Sequence, residues 1–323
     1  MSFSVQVKNE LARVVSDNPK VQLAELSALI RMSGTLKLMG FNKLSFTITT
    51  ENPAIARKVF TLIKNCFGIT VEIKVNKQSN LKKNNSYILS VTYEQGANDI
   101  LEKVGILEKE DDQLRWVSTI PKDLISKQEA KRAYIRGAFL GSGSISNPGR
   151  MYHLEFSTVN IELSEKLKKL LNSYKLNAKI VTRKNNNVVY IKESEHITDL
   201  LNLMGAYNAL MYLEDVKIKK QMRNDVNRLV NCETANLNKT VETSMRQVEC
   251  INYIIEKQGL DYLPENLHEI ALLRVENPDM SLKELGEIMD KPLGKSGVNH
   301  RLKKIELIAE ELKEKIENDK NEL

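Results

Sequence analysis

Tyr134 to Ile145 reads YIRGAFLGSGSI, and an earlier stretch, Leu26 to Leu36, reads LSALIRMSGTL. Each predicts a short apolar helix that runs into a glycine and then a strand. In the later stretch Gly137 and Gly141 are four residues apart, so they share one helical face on which another backbone can come close. Such a face requires a partner. The earlier stretch supplies one, with Ala28 in the place of Gly137.

Sliding the sequence against itself tests the pairing. Aligning Gly34 with Gly143 fixes an offset of 109 residues, and the same offset lays AIARKVFTLIKNCFGITVEI (Ala54 to Ile73) on LSEKLKKLLNSYKLNAKIVT (Leu163 to Thr182). Helix falls on helix and strand on strand. Solenoid modules recur every ~20 to 50 residues, so a repeat this long is not one of them. It reads as two copies of a small α/β unit, each helix, hairpin, helix, hairpin, helix.

The nine residues Leu26 to Gly34 and the nine from Ile135 to Gly143 resemble degenerate copies of the LAGLIDADG motif of homing endonucleases. The resemblance implies an α+β fold: tandem repeats with antiparallel saddle sheets, their motif helices packed at a pseudo-two-fold interface. Ala28, Gly34, Gly137, Gly141 and Gly143 are then the helix-packing positions. In that family the acidic residue before the final glycine binds the catalytic divalent metal; here Ser33 and Ser142 hold those places. A neutral hydroxyl does not replace the carboxylate charge that hard cations need in phosphoryl-transfer sites. We therefore expect no catalytic residue, no metal and no cofactor: a nuclease-like scaffold, not an enzyme.

A chain of 323 residues is long enough for two or three domains. Cys66, Cys232 and Cys250 form no CxxC pair, so neither a disulfide framework nor a zinc site is expected. His153, His196, His268 and His300 show no ligand spacing to one another or to the cysteines. The start, MSFSVQVKNELARV, has no long apolar core, and no run of about 18 apolar residues occurs, so the expected location is the cytoplasm, associated with the nucleoid, with no membrane partner. LGSGSISNPG around Gly141 and Gly143 lacks the spacing and the lysine of a P-loop, which leaves kinase, hydrolase and nucleotide-binding roles without support.

The net charge of +6 divides unevenly. Residues 1–216 carry 30 Lys+Arg and 22 Asp+Glu, whereas residues 217–323 carry 18 and 20. The first part presents a broad cationic surface; the second must concentrate its positive charge to touch nucleic acid. Lys291, Lys295, Arg301, Lys303 and Lys304 fall in a segment without an acid.

Patterning divides the chain further: an N-terminal helix and first repeat at 1–103, a connection at 104–127, a second repeat at 128–213, a helical linker at 214–260, and a terminal domain at 261–323. Residues 3 to 15 predict an amphipathic helix, and Pro53 and Gly68 bracket the second helix of repeat one. The polar loops NKQSNLKKNN, after Val75, and RKNNN, at 183 to 187, are solvated tips or phosphate contacts. Trp116, the only tryptophan, is read as plain packing against the repeats rather than a base-stacking platform. His153 shares one strand face with Glu155 and Ser157, opposite Leu154 and Phe156. The LAGLIDADG resemblance, in which the exposed sheet face lies in the DNA groove, implies a DNA contact there, and the alternative is a surface histidine without a duty. Along the linker, Val216, Met222, Val226, Leu229 and Val230 give an apolar stripe, read as helix packing.

The stripe runs into NRLVNCETANLNKT, 227 to 240, which is similar to a signature of the WhiA family of sporulation and cell-division regulators. That family joins a LAGLIDADG-like domain to a C-terminal helix-turn-helix, and the resemblance spans nearly the whole chain. The asparagines cap a helix break, bind phosphate, or do both, with a structural role expected for most of them and Arg228 and Lys239 as candidate phosphate contacts.

Beyond Leu263, Pro264 opens a helix that Asn277-Pro278 closes. Ser281 and Glu284 form an S-x-x-E capping box ahead of an apolar face of Leu282, Leu285, Ile288 and Met289. After a break at 290 to 294, Val298, Leu302 and Ile305 repeat at i, i+4 and i+7 and face the core. This is the layout of a helix-turn-helix over about 281–305, whose second helix can enter the major groove. Its turn is longer than the simplest motif's and resembles the sigma-factor region-four type. Ser296, Asn299, His300, Lys303 and Lys304 lie opposite the core, Arg301 at its edge, and Lys283 and Lys295 beside the turn. Asn299 suits adenine, His300 a guanine or a phosphate, and the lysines the backbone. The expected function is sequence-specific binding of double-stranded DNA by a monomeric regulator of cell division, chromosome segregation or sporulation. The alternatives are a protein-interaction module whose helix-turn-helix meets another regulator or RNA polymerase, and, last, an active homing endonuclease.

Overall fold

The computed structural model describes residues 1–40, 42–76, 85–110 and 113–321. They divide into two compact units, Met1–Lys219 and Lys220–Leu323.

The first unit opens with α1 (Phe3–Leu11) and then repeats one pattern. In the first copy α2 (Pro19–Ser33) leads into β1 (Gly34–Gly40) and β2 (Lys43–Thr50), then α3 (Pro53–Phe67), β3 (Glu72–Asn76), β4 (Ser86–Val91) and α4 (Ala97–Lys103). A hairpin, β5 (Leu107–Glu110) and β6 (Gln113–Trp116), follows. In the second copy α5 (Gln128–Ser142) leads into β7 (Gly143–Ile145) and β8 (Leu154–Thr158), then α6 (Ile161–Asn172), β9 (Lys179–Arg183), β10 (Asn186–Ile191) and α7 (Ser194–Met204). The sheets have the same order, β1-β2-β4-β3 and β7-β8-β10-β9, and every pairing in them is antiparallel. The 109-residue offset carries Gly34, where β1 begins, onto Gly143, where β7 begins.

Local chemistry sets these elements. Asn18, Asn52 and Asn160 accept backbone N–H bonds at the starts of α2, α3 and α6, and prolines occupy the first turns of α2 and α3. α3 and α6 turn an apolar stripe onto their sheets, which answer with Phe46, Ile48, Leu89 and Val91 in one copy and Leu154, Phe156, Val189 and Ile191 in the other, all essentially buried.

The motif helices α2 and α5 pack backbone to backbone. A Cβ on Gly137 would lie 2.2 Å from the Glu25 carbonyl oxygen and 3.0 Å from Ala28 Cβ, and one on Gly141 would lie 2.9 Å from Met32 Cβ. Gly34 and Gly143 do different work, which corrects their reading as interhelical contacts. Each closes its own helix in an extended conformation, and a Cβ there would strike that helix, at Ile30 O (2.4 Å) and Phe139 Cα (2.7 Å) respectively.

Beside this seam lies a buried ion cluster. Glu25, 1% exposed, takes a two-pronged bond from Arg136 (3.0 Å from Nε and 3.0 Å from Nη2) and an ion pair from Lys58 at 3.2 Å. Lys58 also donates to the Val14 carbonyl and Arg136 to that of Met204. Burial holds the Lys58 ammonium below its ordinary pKa, with Glu25 opposing that shift. The cluster ties α2, α3 and α5 to the segment after α1 and to the end of α7.

α8 (Tyr207–Gln258) is one continuous helix belonging to both units. No break occurs at 227 to 240, so the asparagines of NRLVNCETANLNKT cap nothing; their competition with the backbone does not outweigh more than ten unbroken turns. The stripe reading is corrected too: Met222, Val226, Leu229 and Val230 are 51–63% exposed, and every residue of 221–240 is exposed. Periodicity shows that a helix has an apolar side but not that anything covers it.

Trp116 is 51% exposed at the end of the β5–β6 hairpin, opposite Leu107, rather than packed away. His153 has partners: its Nε2 lies 2.9 Å from Glu155 Oε2, and its ring stacks on Tyr190. Asn187 is a strand residue 8% exposed and donates to the Val159 carbonyl, which shortens the loop to Lys184 and Asn185. Residues 77–84 of the counterpart loop lie outside the described residues.

Candidate nucleic-acid interface

The second unit is built on the last turns of α8 and on α9 (Glu265–Glu276), α10 (Leu282–Glu287) and α11 (Lys295–Asn321). Ile251 and Ile254 of α8, Leu267, Ile270 and Ala271 of α9, Leu285 and Met289, and Val298, Leu302 and Ile305 of α11 are at most 3% exposed and form one core. Because the buried residues of α11 recur every three or four positions, its rotation is fixed. Lys295, Ser296, His300, Lys303 and Lys304 face solvent and Arg301 is half-buried at the edge, as expected. Asn299, expected opposite the core, is also half-buried, because it directly follows the core residue Val298 on the helix. Within that helix no acid precedes Glu306.

Two local devices aim it. Ser281 Oγ accepts from Glu284 N (3.3 Å) and Glu284 Oε2 accepts from Ser281 N (2.8 Å), a capping box that sets where α10 begins; these bonds also hold the Glu284 carboxyl below its usual pKa. The return to α11 depends on Gly286, where a Cβ would sit 2.0 Å from the Leu293 carbonyl oxygen; Leu293 N donates back to the Gly286 carbonyl at 3.0 Å. Ile288, expected on the apolar face, is 46% exposed, because α10 ends at Glu287 and the chain turns away.

Arg274, 2% exposed on α9, braces the preceding turn. It donates to the carbonyls of Pro278 (3.3 Å) and Met280 (2.8 Å) and to Ser244 Oγ of α8 (3.4 Å), and burial pushes its pKa down. Sequence reasoning missed Arg274 and Gly286. The available signals were an arginine inside the apolar run ALLRV and a glycine inside a capped helix.

The structure brings most of the sequence-derived cationic residues together and leaves one apart. Lys283 lies on α10, 3.7 Å from Glu287, while Lys295 to Lys304 occupy the first turns of α11. Lys239 of α8 joins Lys283, Lys295 and Asn299 around one cleft. Arg228, also on α8, does not line it, being eleven residues, about 16 Å, along the helix from Lys239.

In the first unit, Ser33 Oγ donates to the Leu29 carbonyl (2.8 Å), and Ser142 Oγ is buried without a hydrogen-bond partner among the described residues. The cleft of about 760 Å³ that reaches Ser33 and Gly141 is roofed by α1, whose Lys8 faces it; Glu51 is the one carboxylate among its described lining residues. Burial lowers the Lys8 pKa. No group of three His, Cys, Asp or Glu able to hold a metal occurs among the described residues. No described helix is long and apolar enough to cross a membrane.

Fold and site together define a class: a two-repeat LAGLIDADG-like body carried on the same chain as a helix-turn-helix. Family models agree, matching a WhiA N-terminal LAGLIDADG-like domain at 19–107, a WhiA LAGLIDADG-like domain at 131–223 and a WhiA C-terminal HTH domain at 226–309. The chain is 55% identical over 320 residues to the probable cell division protein WhiA of Alkaliphilus oremlandii, covering 98% of this chain and all of that one. It is 53% identical over 310 residues to the protein of the same name in Alkaliphilus metalliredigens, covering 96% and 98%. The crystal structure of full-length WhiA from Thermatoga maritima superposes with a TM-score of 0.59 at 28% identity, covering 96% of this chain and 99% of that one. The chain belongs to the WhiA family.

Proposed function

We propose that this chain is a sequence-specific double-stranded-DNA-binding regulator acting in cell division, chromosome segregation or sporulation, with α11 as the reading helix and no nuclease activity. One observation carries the reading: Val298, Leu302 and Ile305 lock α11 into the core, and that rotation turns an acid-free row of Lys295, Ser296, His300, Lys303 and Lys304 to solvent. In this reading Asn299 meets an adenine edge, His300 a guanine or a phosphate, and Arg301 and the lysines, Lys283 included, the phosphates. The absence of carboxylates at Ser33 and Ser142, with Lys8 facing the same cleft, supports a scaffold that has left phosphodiester hydrolysis behind. The relatives' printed name, cell division protein, supports the cellular role. Residues 261–323 are the DNA-reading part of this proposal, and the protein acts as a monomer in the cytoplasm, at the nucleoid.

The test is fluorescence anisotropy of labelled duplexes across salt concentrations, with the full chain, residues 1–216 and residues 217–323. Five phosphate-facing cations on α10 and α11 give a slope of log K against log salt of about −4 to −5. Asn299→Ala should relax sequence preference, at a cost of about 1–3 kcal/mol on the preferred site. Cleavage of any duplex with Mg²⁺ would revive the endonuclease. A second reading, a protein-interaction module for another regulator or RNA polymerase, is favoured by the exposed Met222, Val226, Leu229 and Val230. It takes the lead if alanine at His300 and Lys303 leaves DNA affinity unchanged.

A further inference from the structure

Lys239 of α8, Lys283 of α10 and Lys295 of α11 surround a cleft of about 460 Å³ whose wall includes Arg274 of α9. No carboxylate is among its described lining residues, although acids outnumber bases 20 to 18 across 217–323. Such local reversal of the prevailing charge marks a place built for an anion.

The wall holds a second, independent sign. Arg274 and Gln247 are each 2% exposed, each lines the cleft, and each keeps a buried polar atom with no hydrogen-bond partner among the described residues: Arg274 Nε and Gln247 Oε1. Burying a guanidinium N–H without an acceptor is costly, and an acceptor brought into the cleft beside Arg274 relieves that cost. The Gln247 amide can turn to offer its NH₂ to the same visitor, and Thr243 and Asn299 add further donors.

We infer that this cleft is a seat for a phosphate group, held by Lys239, Lys283, Lys295 and the Nε–H of Arg274. A phosphate brings negative charge and acceptor oxygens to a wall rich in donors. The inference deepens the DNA reading and rests on it for one source of the phosphate, the duplex backbone running past the start of α11. In that case α8 is part of the DNA interface, through Lys239. The other source is free phosphate, with the same chemistry.

The full chain is compared with Lys239→Glu, which alters an exposed residue, and with the control Lys257→Glu, 18 residues or about 27 Å further along α8. In the first arm, duplex anisotropy between about 50 and 200 mM salt, Lys239→Glu is expected to weaken binding about tenfold at low salt and to flatten the salt slope by about 1, while the control does neither. In the second arm, inorganic phosphate alone is titrated by calorimetry; millimolar binding by the native chain, lost in Lys239→Glu, assigns the seat to free phosphate. If the native chain binds DNA, Lys239→Glu matches Lys257→Glu, and phosphate gives no heat, the cleft inference is overturned and the DNA reading stands. If the native chain binds no duplex, the DNA reading fails and the cleft stands or falls on the phosphate titration.

Discussion

Replacing Gly137 by alanine tests the seam on which the first unit is built. The new Cβ would lie 2.2 Å from the Glu25 carbonyl oxygen. Carbon–oxygen contacts begin near ~3.3 Å, so α2 and α5 must part by about 1 Å. The obstacle is backbone and cannot rotate away. Overpacking costs about 1–3 kcal/mol, and a rigid obstacle puts Gly137→Ala at the upper end. Better helix propensity returns about 1 kcal/mol, leaving a net loss of about 2 kcal/mol. For a unit of this size that lowers Tm by about 4–8 °C. Gly141→Ala is the internal comparison: its Cβ meets Met32 Cβ at 2.9 Å, a smaller overlap that the propensity gain roughly cancels. Calorimetry, with the fluorescence of Trp116 reporting on Met1–Lys219, measures both. A Gly137→Ala protein that melts with the native chain, or above Gly141→Ala, would refute the close approach.

Glu25→Gln should cost about 3–5 kcal/mol, read as a lower urea midpoint, because it leaves Lys58 and Arg136 buried without their counter-charge. The Tyr134 hydroxyl is buried without a partner among the described residues, and burial raises its pKa far above the ordinary 10. Below that value both folded and unfolded states keep the proton. Above it the unfolded chain ionises while the folded one resists, so stability falls as pH rises past about 10. Tyr134→Phe should therefore match or exceed native stability at pH 7, by about 1 kcal/mol, and lose less between pH 9 and about 11; equal alkaline losses would count against it. Among the thiols, burial pushes Cys66 up to about 11 and also raises Cys250, whereas Cys232 is exposed. At pH 8 a thiol reagent should modify Cys232 first, the half-buried Cys66 more slowly and the buried Cys250 last; simultaneous labelling would contradict the packing.

What the sequence determined by itself is what depends on near neighbours. The repeat is legible because helix and strand periods survive in each copy, and the capping box at Ser281 and Glu284 because both partners lie within one turn. The rotation of α11 follows from the spacing of Val298, Leu302 and Ile305 alone. Tertiary structure decided what depends on distant neighbours. Glu25 meets Arg136 across 111 residues of sequence, and no local pattern marks it as the centre of a buried cluster. Arg31 binds the carbonyls of Val117 and Gly105, fixing the connection between repeats to the first motif helix. Lys239 reaches the helix-turn-helix because α8 continues unbroken through residues read as a stop. Trp116 and the α8 stripe were misread for the same reason: hydrophobicity states a preference for burial, and only the arrangement of the other elements determines whether that preference is met.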